Sequence, residues 1–317
     1  MDVIRNNEDL RPERFVRPVM TIGNFDGCHV GHQEIFRRVK AHAAKVSGTS
    51  VAYTFDPHPA SVIKGVTPQL IFTLEEKIEA VRCLGMDCLV VAPFTREVAD
   101  TDPERFVEDT IVGRIGALGV VVGHDFSFGR KATGDIPFLE RMGEEKGFFV
   151  ECVEPVRHDG NVVSSTLIRK MILSGDVGGA ARLMKFPFRI RGPVVHGRSR
   201  GRGLGFPTAN VTPDKELIPA YGVYAVWLCL GDRKLPGVVN IGNNPTFGDV
   251  GTSIEAFIFD LDEDIYGREL AVEFVEHLRG EIKFADKQYL IDQIDADCRL
   301  AREILAQRKT GEDLRPV

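Results

Sequence analysis

Val16–Gln33 reads "VRPVMTIGNFDGCHVGHQ", and this stretch decides the fold. Its apolar first part predicts a strand ending near Gly23, and the pattern from about His29 to Lys45 predicts a helix. Between them lies a short loop, and at the helix start His29 and His32 flank Gly31. A strand, a tight loop and a helix in that order open a βαβ unit.

The alternation continues through the first half. "TSVAYTF" is β-branched and aromatic, hence strand-like. "TLEEKIEAVRCLG" reads as a helix with an N-cap at Thr73 and a closing Gly85. "DCLVVAPF", "LGVVVGHDF" and "FFVECVEPV" read as strands, with helices at "DPERFVEDTIVGRIG" and "GDIPFLERMGEEKG" between them. This is a Rossmann-like parallel α/β sheet, in which ligands sit beyond the carboxyl ends of the strands. "TIGNFDG", "TFDPHP" and "GHDFSFG" all fall there.

The second half changes character. "FRIRGPVV", "GVYAVWLCL", "LPGVVNIG", "SIEAFIFD" and "ELAVEFVEHL" are strand-like runs separated by Gly, Pro and Asn turns, a small barrel or sandwich. A helix closes the chain, with Ile291, Ile294, Cys298, Ala301 and Leu305 on one face and Arg299 and Arg302 off it. The expected junction is near Leu183–Phe188, giving domains 1–184 and 185–317.

The chain has 317 residues, enough for about two domains. Its net charge is −6, so no global field draws it to nucleic acid or an anionic membrane. No apolar run approaches the length of a membrane span, and the N-terminal stretch lacks a signal-peptide core. The six cysteines form no C-x-x-C pair and no zinc spacing. They read as reduced thiols of a cytoplasmic protein.

An isolated H-x-G-H reads as two histidines that cap or pack. At a helix start behind the first strand it gains chemistry: first-turn N–H groups and the helix dipole favour an anion, and imidazoles add donors. There is no G-x-G-x-x-G and no phosphate-loop G-x-x-x-x-G-K-[ST]. Transfer of a nucleotidyl group, which relies on positioning and charge stabilisation, fits better. In "VSSTLIRK", Ser164, Ser165 and Thr166 can cap a helix, and Arg169 follows one turn later. That is either a plain capped helix or a phosphate clamp with a bidentate cation. Glycines 197, 201, 203 and 205 make a loop able to surround phosphates. Thr208 and Asn210 offer oxygen ligands for Mg²⁺. Glu255, early in the strand-like "SIEAFIF", reads on its own as a solvated strand end. Asp260, Asp262 and Asp264 read as a solvated acidic turn. Lys185, Arg189, Arg191, Arg198, Arg200 and Arg202 could contact RNA, but a phosphate loop accounts for the same charge in a net-acidic chain.

In order, "GNFDGCHVGH", "TFDPHP", "GHDFSFG" and "SSTLIR" resemble the N-terminal module of bacterial bifunctional riboflavin kinase/FMN adenylyltransferases. "GPVVHGRSRGRGLGFPTANV", "NIGNNPTFG", "EAFIFDLDEDIYG" and "VEFVEHLR" resemble their riboflavin kinase module. The resemblance spans residues 17–305. It implies a nucleotidyl transferase domain followed by a β-barrel kinase domain with a C-terminal helix, using ATP, riboflavin and FMN as substrates with Mg²⁺. No nucleic-acid or membrane partner is expected.

By the same resemblance His29, Gly31 and His32 hold ATP, and Asn24 shapes the first loop. Ser164, Ser165, Thr166 and Arg169 bind the triphosphate, with Arg169 on the departing pyrophosphate. Asp125 and Phe126 face the flavin, and Ser127 stands where many relatives carry arginine. His58 is either a site member or a satisfied turn histidine. In the kinase module Gly203, Gly205, Thr208 and Asn210 bind ATP and the metal, and Glu255 accepts the ribityl hydroxyl proton. A different nucleotidyl transferase joined to a β domain is the alternative enzyme. A flavin- or RNA-binding regulator without turnover is the alternative from another class.

Overall fold

The structure is a computed structural model that describes residues 1–5, 9–196, 206–247, 249–284 and 286–310. By packing, the chain divides into two compact units between Ser165 and Thr166.

The first unit is a six-stranded sheet: β1 (Asp2–Ile4), β2 (Val19–Ile22), β3 (Ser50–Asp56), β4 (Cys88–Pro93), β5 (Gly119–Gly123) and β6 (Phe149–Val153). The spatial order is β1-β4-β3-β2-β5-β6, and every pairing is parallel. β2 is buried along its whole length and β4 along all but its last residue. Such strands carry continuous apolar runs because helices cover both faces. The edge strand β1 is not foreseen from the sequence, because three residues carry too little periodicity.

Chain order and spatial order part company at β2. The chain leaves β2 through α1 (Val30–Lys45) for β3 on one side, whereas β5 pairs with β2 on the other. This switch opens a crevice at the carboxyl ends of β2 and β5, between the loops that follow them. α2 (Pro59–Lys64) and α3 (Leu74–Cys83) follow β3. α3 starts in a capping box, with Thr73 Oγ1 accepting from Glu76 N–H and Glu76 Oε2 accepting from Thr73 N–H. After α4 (Arg96–Ala99), α5 (Pro103–Phe106) runs on into a π-helical stretch, Val107–Ile115, where the sequence predicts one plain helix. α6 (Ile136–Lys146) begins on Asp135, whose carboxylate accepts from Phe138 N–H. A short hairpin, β7 (Arg157–His158) and β8 (Asn161–Val162), follows, and α7 (Ser165–Leu173) begins at the division.

The second unit is a closed barrel, which resolves the barrel-or-sandwich alternative. Its strands are β9 (Arg189–Val195), β10 (Ala209–Val211), β11 (Gly222–Leu230), β12 (Arg233–Phe247), β13 (Asp249–Ile258) and β14 (Glu269–Arg279), in the order β10-β13-β12-β11-β14-β9. Tyr224, Val226, Leu228, Val239, Ile241, Ile254, Ala256, Val272 and Phe274 fill the interior and are at most 2% exposed. The outer face of β11 is also buried: Val223, Ala225 and Trp227 pack with Cys298, Ala301 and Leu305 of α9 (Lys287–Thr310). Arg299 and Arg302 lie exposed off that face, and Arg302 grips the Asp260 carboxylate with two hydrogen bonds.

α8 (Val177–Met184) packs against β14. A Cβ on Gly178 would come within 3.2 Å of the Val275 carbonyl, so glycine permits this approach. The division by packing therefore falls ahead of α7 and α8, whereas the junction expected from composition lies after them, at Leu183–Phe188.

Candidate functional site

The first unit's candidate site is built on the loop between β2 and α1. Phe25 and Cys28 take left-handed backbone conformations, with φ of 49° and 38°. Both side chains are nonetheless buried, so the turn is held by its surroundings. Asp26, 2% exposed, accepts hydrogen bonds from the Ile71 and Phe72 amides at 3.0 Å each and anchors the loop to the segment before α3. Ser165 Oγ donates to the Asp26 carbonyl at 2.8 Å, which ties the start of "SSTLIR" to this loop. Gln33 Nε2 donates to the Cys28 carbonyl at 2.8 Å. Burial pushes the Cys28 thiol up to about 12, so it is inert.

His29 is the N-cap residue of α1, and its side chain makes no cap hydrogen bond. Its ring stacks on His32 with centroids 3.7 Å apart and planes 19° apart, and His32 meets the edge of Phe25. A Cβ on Gly31 would lie 3.1 Å from His29 Nδ1, so glycine makes room for that ring. Burial pushes His29 down to about 4, against the opposing pull of the Asp26 and Asp125 carboxylates. Burial also holds His32 well below the usual range, helped by the Lys77 ammonium and by the repulsion His29 would exert if protonated. Both rings are therefore neutral at pH 7. Among the described residues Nδ1 of each is buried without a hydrogen-bond partner, an orphaned polar atom in a place that favours an anion.

Across the crevice Asp125 is exposed in the loop after β5. Phe126 is half-buried and stacks on Phe128 at 5.4 Å, an apolar wall against the core. Asn24 contributes its carbonyl, which accepts from Thr54 Oγ1 at 3.4 Å. His58 caps α2, its Nδ1 accepting from Ala60 N–H, which satisfies it as a turn histidine. Ser164 precedes α7, while Thr166 and Arg169 lie within it and belong by packing to the second unit. Lys77, buried on α3 beside this loop, is a residue the sequence reading does not single out; only its place two residues inside the Thr73–Glu75 turn and before an apolar face could have suggested it.

In the second unit Asn210 of β10 is the register partner of Glu255 on β13, and Glu255 is in turn opposite Asn240 on β12. Directly opposed residues share a face, so Asn210, Glu255 and Asn240 form a polar row across three strands. Asn240 is missed from sequence, although its polar interruption of "VVNIG" is the available signal. The neighbours Ala209 and Ala256 point the other way and line a cleft of about 430 Å³ together with Thr208 and residues 261–266. Asp260, Asp262 and Asp264 of the acidic turn are exposed, and the latter two also border this cleft. Glu263 is paired with Arg233 and Arg268 there, and Asp264 accepts from Tyr266 N–H. Gly203 and Gly205, like Gly197, Gly201 and the arginines at 198, 200 and 202, lie outside the described residues. Among the described residues no cluster of three or more His, Cys, Asp or Glu could hold a metal. The hydroxyl and amide oxygens of Thr208 and Asn210 are a donor set that suits a hard cation completed by substrate phosphates.

Comparison with known proteins gives two family matches: an FAD synthetase model over residues 12–167 and a riboflavin kinase model over residues 184–305. A bifunctional riboflavin kinase/FMN adenylyltransferase of Pseudomonas fluorescens is 36% identical over 307 residues, 96% of this chain and 98% of that protein. The protein of the same description from Escherichia coli K12 is 34% identical over 311 residues, 98% of this chain and 99% of its own. A crystal structure from Streptococcus pneumoniae, of a protein named there as a macrolide-efflux protein, superposes with a TM-score of 0.88 at 31% identity. It covers 95% of this chain and 99% of that one. Among the described residues no helix is long and apolar enough to cross a membrane.

Proposed function

The chain belongs to the bifunctional riboflavin kinase/FMN adenylyltransferase family, and from that premise we propose how its residues divide the work. It is a two-activity transferase that phosphorylates riboflavin to FMN and adenylylates FMN to FAD, with ATP as donor in both reactions. We assign adenylyl transfer to residues 1–184 and riboflavin phosphorylation to residues 185–317, in the cytoplasm, without a nucleic-acid or membrane partner.

The observation that carries the first activity is the stacked, buried, neutral His29–His32 pair at the switch point. Neutral imidazoles offer N–H donors to phosphoryl oxygens without fixing a charge in the ground state, and the α1 N-terminus adds its dipole. Asn24 and Gly31 give the loop the shape that admits the nucleotide. Ser164, Ser165 and Thr166 supply further donors for the triphosphate. The FMN phosphate attacks the α-phosphorus, the bond to the β-phosphate breaks, and pyrophosphate leaves with its charge offset by Arg169. Asp125 and Phe126 orient the flavin, the ring of Phe126 supplying an apolar face.

The second activity is supported by the Asn210–Glu255–Asn240 row. Glu255 takes the proton of the ribityl hydroxyl as the bond to the γ-phosphorus forms, the bond from that phosphorus to the β-phosphate oxygen breaks, and ADP leaves. Thr208 and Asn210 would hold Mg²⁺, which on binding supplies charge neutralisation for the transferring phosphoryl group. Gly203 and Gly205 are assigned to the phosphate loop on resemblance alone.

Incubation with riboflavin, ATP and Mg²⁺, followed by chromatography, tests the reading: FMN and then FAD are expected. FAD with no FMN intermediate, or neither product, would overturn it. Arg169→Ala is expected to reduce FAD formation about a hundredfold, with riboflavin phosphorylation unchanged. Equal loss of both would remove Arg169 from pyrophosphate departure.

A further inference from the structure

Lys77 is the fourth residue of α3 and is 8% exposed. An ammonium has three N–H donors, and buried charges are normally paired and hydrogen-bonded. Among the described residues the one hydrogen bond of Lys77 is a long one, 3.4 Å from Nζ to Thr54 Oγ1. That hydroxyl lies at the carboxyl end of β3 and itself donates to the Asn24 carbonyl.

The charged and titratable groups facing Lys77 come from three directions. Asp26 lies in the loop after β2, and its carboxylate already accepts from the Ile71 and Phe72 amides. Asp56, at the end of β3, is exposed. Cys28, a thiol kept protonated by burial, and the neutral ring of His32 complete the surroundings. Burial pulls the ammonium pKa down, so the fold holds this cation at a cost. A cation kept under-paired at the strand ends, beside two histidines with orphaned nitrogens, is what a site for an arriving anion requires.

We propose that Lys77 is a phosphate-binding residue of the adenylyl-transfer site, its ammonium pairing with a phosphoryl oxygen of a bound substrate. This rests on the adenylyltransferase reading. The phosphoryl group has two sources, the triphosphate of ATP and the phosphate of FMN. In either case Lys77 adds a cation to the donors that the first unit itself supplies at the loop after β2.

The test is Lys77→Met, which keeps most of the side-chain length and removes the charge. FAD formation from supplied FMN and ATP is measured with each substrate varied in turn. Hydrogen exchange of the Ile71 and Phe72 amides is followed in the same protein. One KM is expected to rise roughly ten- to a hundredfold, the scale of a lost hydrogen bond to a charged group. A rise for ATP assigns the contact to the triphosphate, and a rise for FMN to the flavin phosphate. Protection of the two amides should be retained, because Asp26 holds them without Lys77. Parent-like KM values for both substrates would overturn the proposal. So would loss of amide protection together with activity, which would make Lys77 a structural strut. Failure of the parent protein to form FAD would instead overturn the adenylyltransferase reading.

Discussion

Burial pushes His29 down to about 4 from a free value of 6.5. As pH falls below about 6.5, the unfolded chain takes up this proton while the folded protein does not. The group therefore contributes stability above its unfolded pKa that is lost as pH falls through 6.5 to about 4, in total about 3 kcal/mol. His32 acts in the same direction. Chemical denaturation at pH 7 and at pH 4.5 should show a larger drop for the parent than for His29→Asn, which has no imidazole to titrate. Equal drops would mean that His29 is not held neutral in the folded protein. The two histidines themselves are legible from their spacing at a strand–helix turn. Their neutrality is not, because it comes from Phe25, Lys77 and the surrounding loop closing over them. Lys77 illustrates the same point: along the sequence it is an ordinary polar residue, and only the tertiary structure, which sets it beside Thr54, Asp26 and Cys28, buries it.

At the level of elements, caps and turns are written locally. The Thr73–Glu76 capping box and the Asp135 cap stand where the helix starts are expected. The row of Asn210, Glu255 and Asn240 is different in kind, since it needs three strands set in one register. A one-residue slip of β13 would send Glu255 to the other face and bring an alanine or isoleucine into its place. Glu255→Gln keeps size and hydrogen bonding but cannot act as a base. It is expected to lower FMN formation from riboflavin by 10²–10⁴-fold. The same protein, supplied with FMN and ATP, should form FAD at the parent rate. Phosphorylation at near the parent rate would return Glu255 to the role of a solvated strand residue.

For the whole molecule, the two compact units suggest where it can be cut. α8 lays a small-residue face on β14, and seven of its eight residues are buried. A fragment beginning at Thr166 should therefore melt higher than one beginning at Lys185, which leaves part of β14 uncovered. Both should phosphorylate riboflavin and form no FAD. Equal melting temperatures would mean that α8 adds nothing to the barrel. The sequence by itself determined the α/β half, the β half, the closing helix and the motif loops at strand ends, because hydrophobic period and turn chemistry act over a few residues. Resemblance of those motifs extended this to the two activities. Only the tertiary structure decided that β5 pairs beside β2 to open the crevice, that β1 joins the sheet edge and that the barrel closes. It alone decided that α8 goes with the barrel, that Asn240 faces Glu255 and that Lys77 is a buried cation. Each of these depends on partners tens to hundreds of residues apart, whose pairing and burial are fixed by packing rather than by the local pattern of either partner.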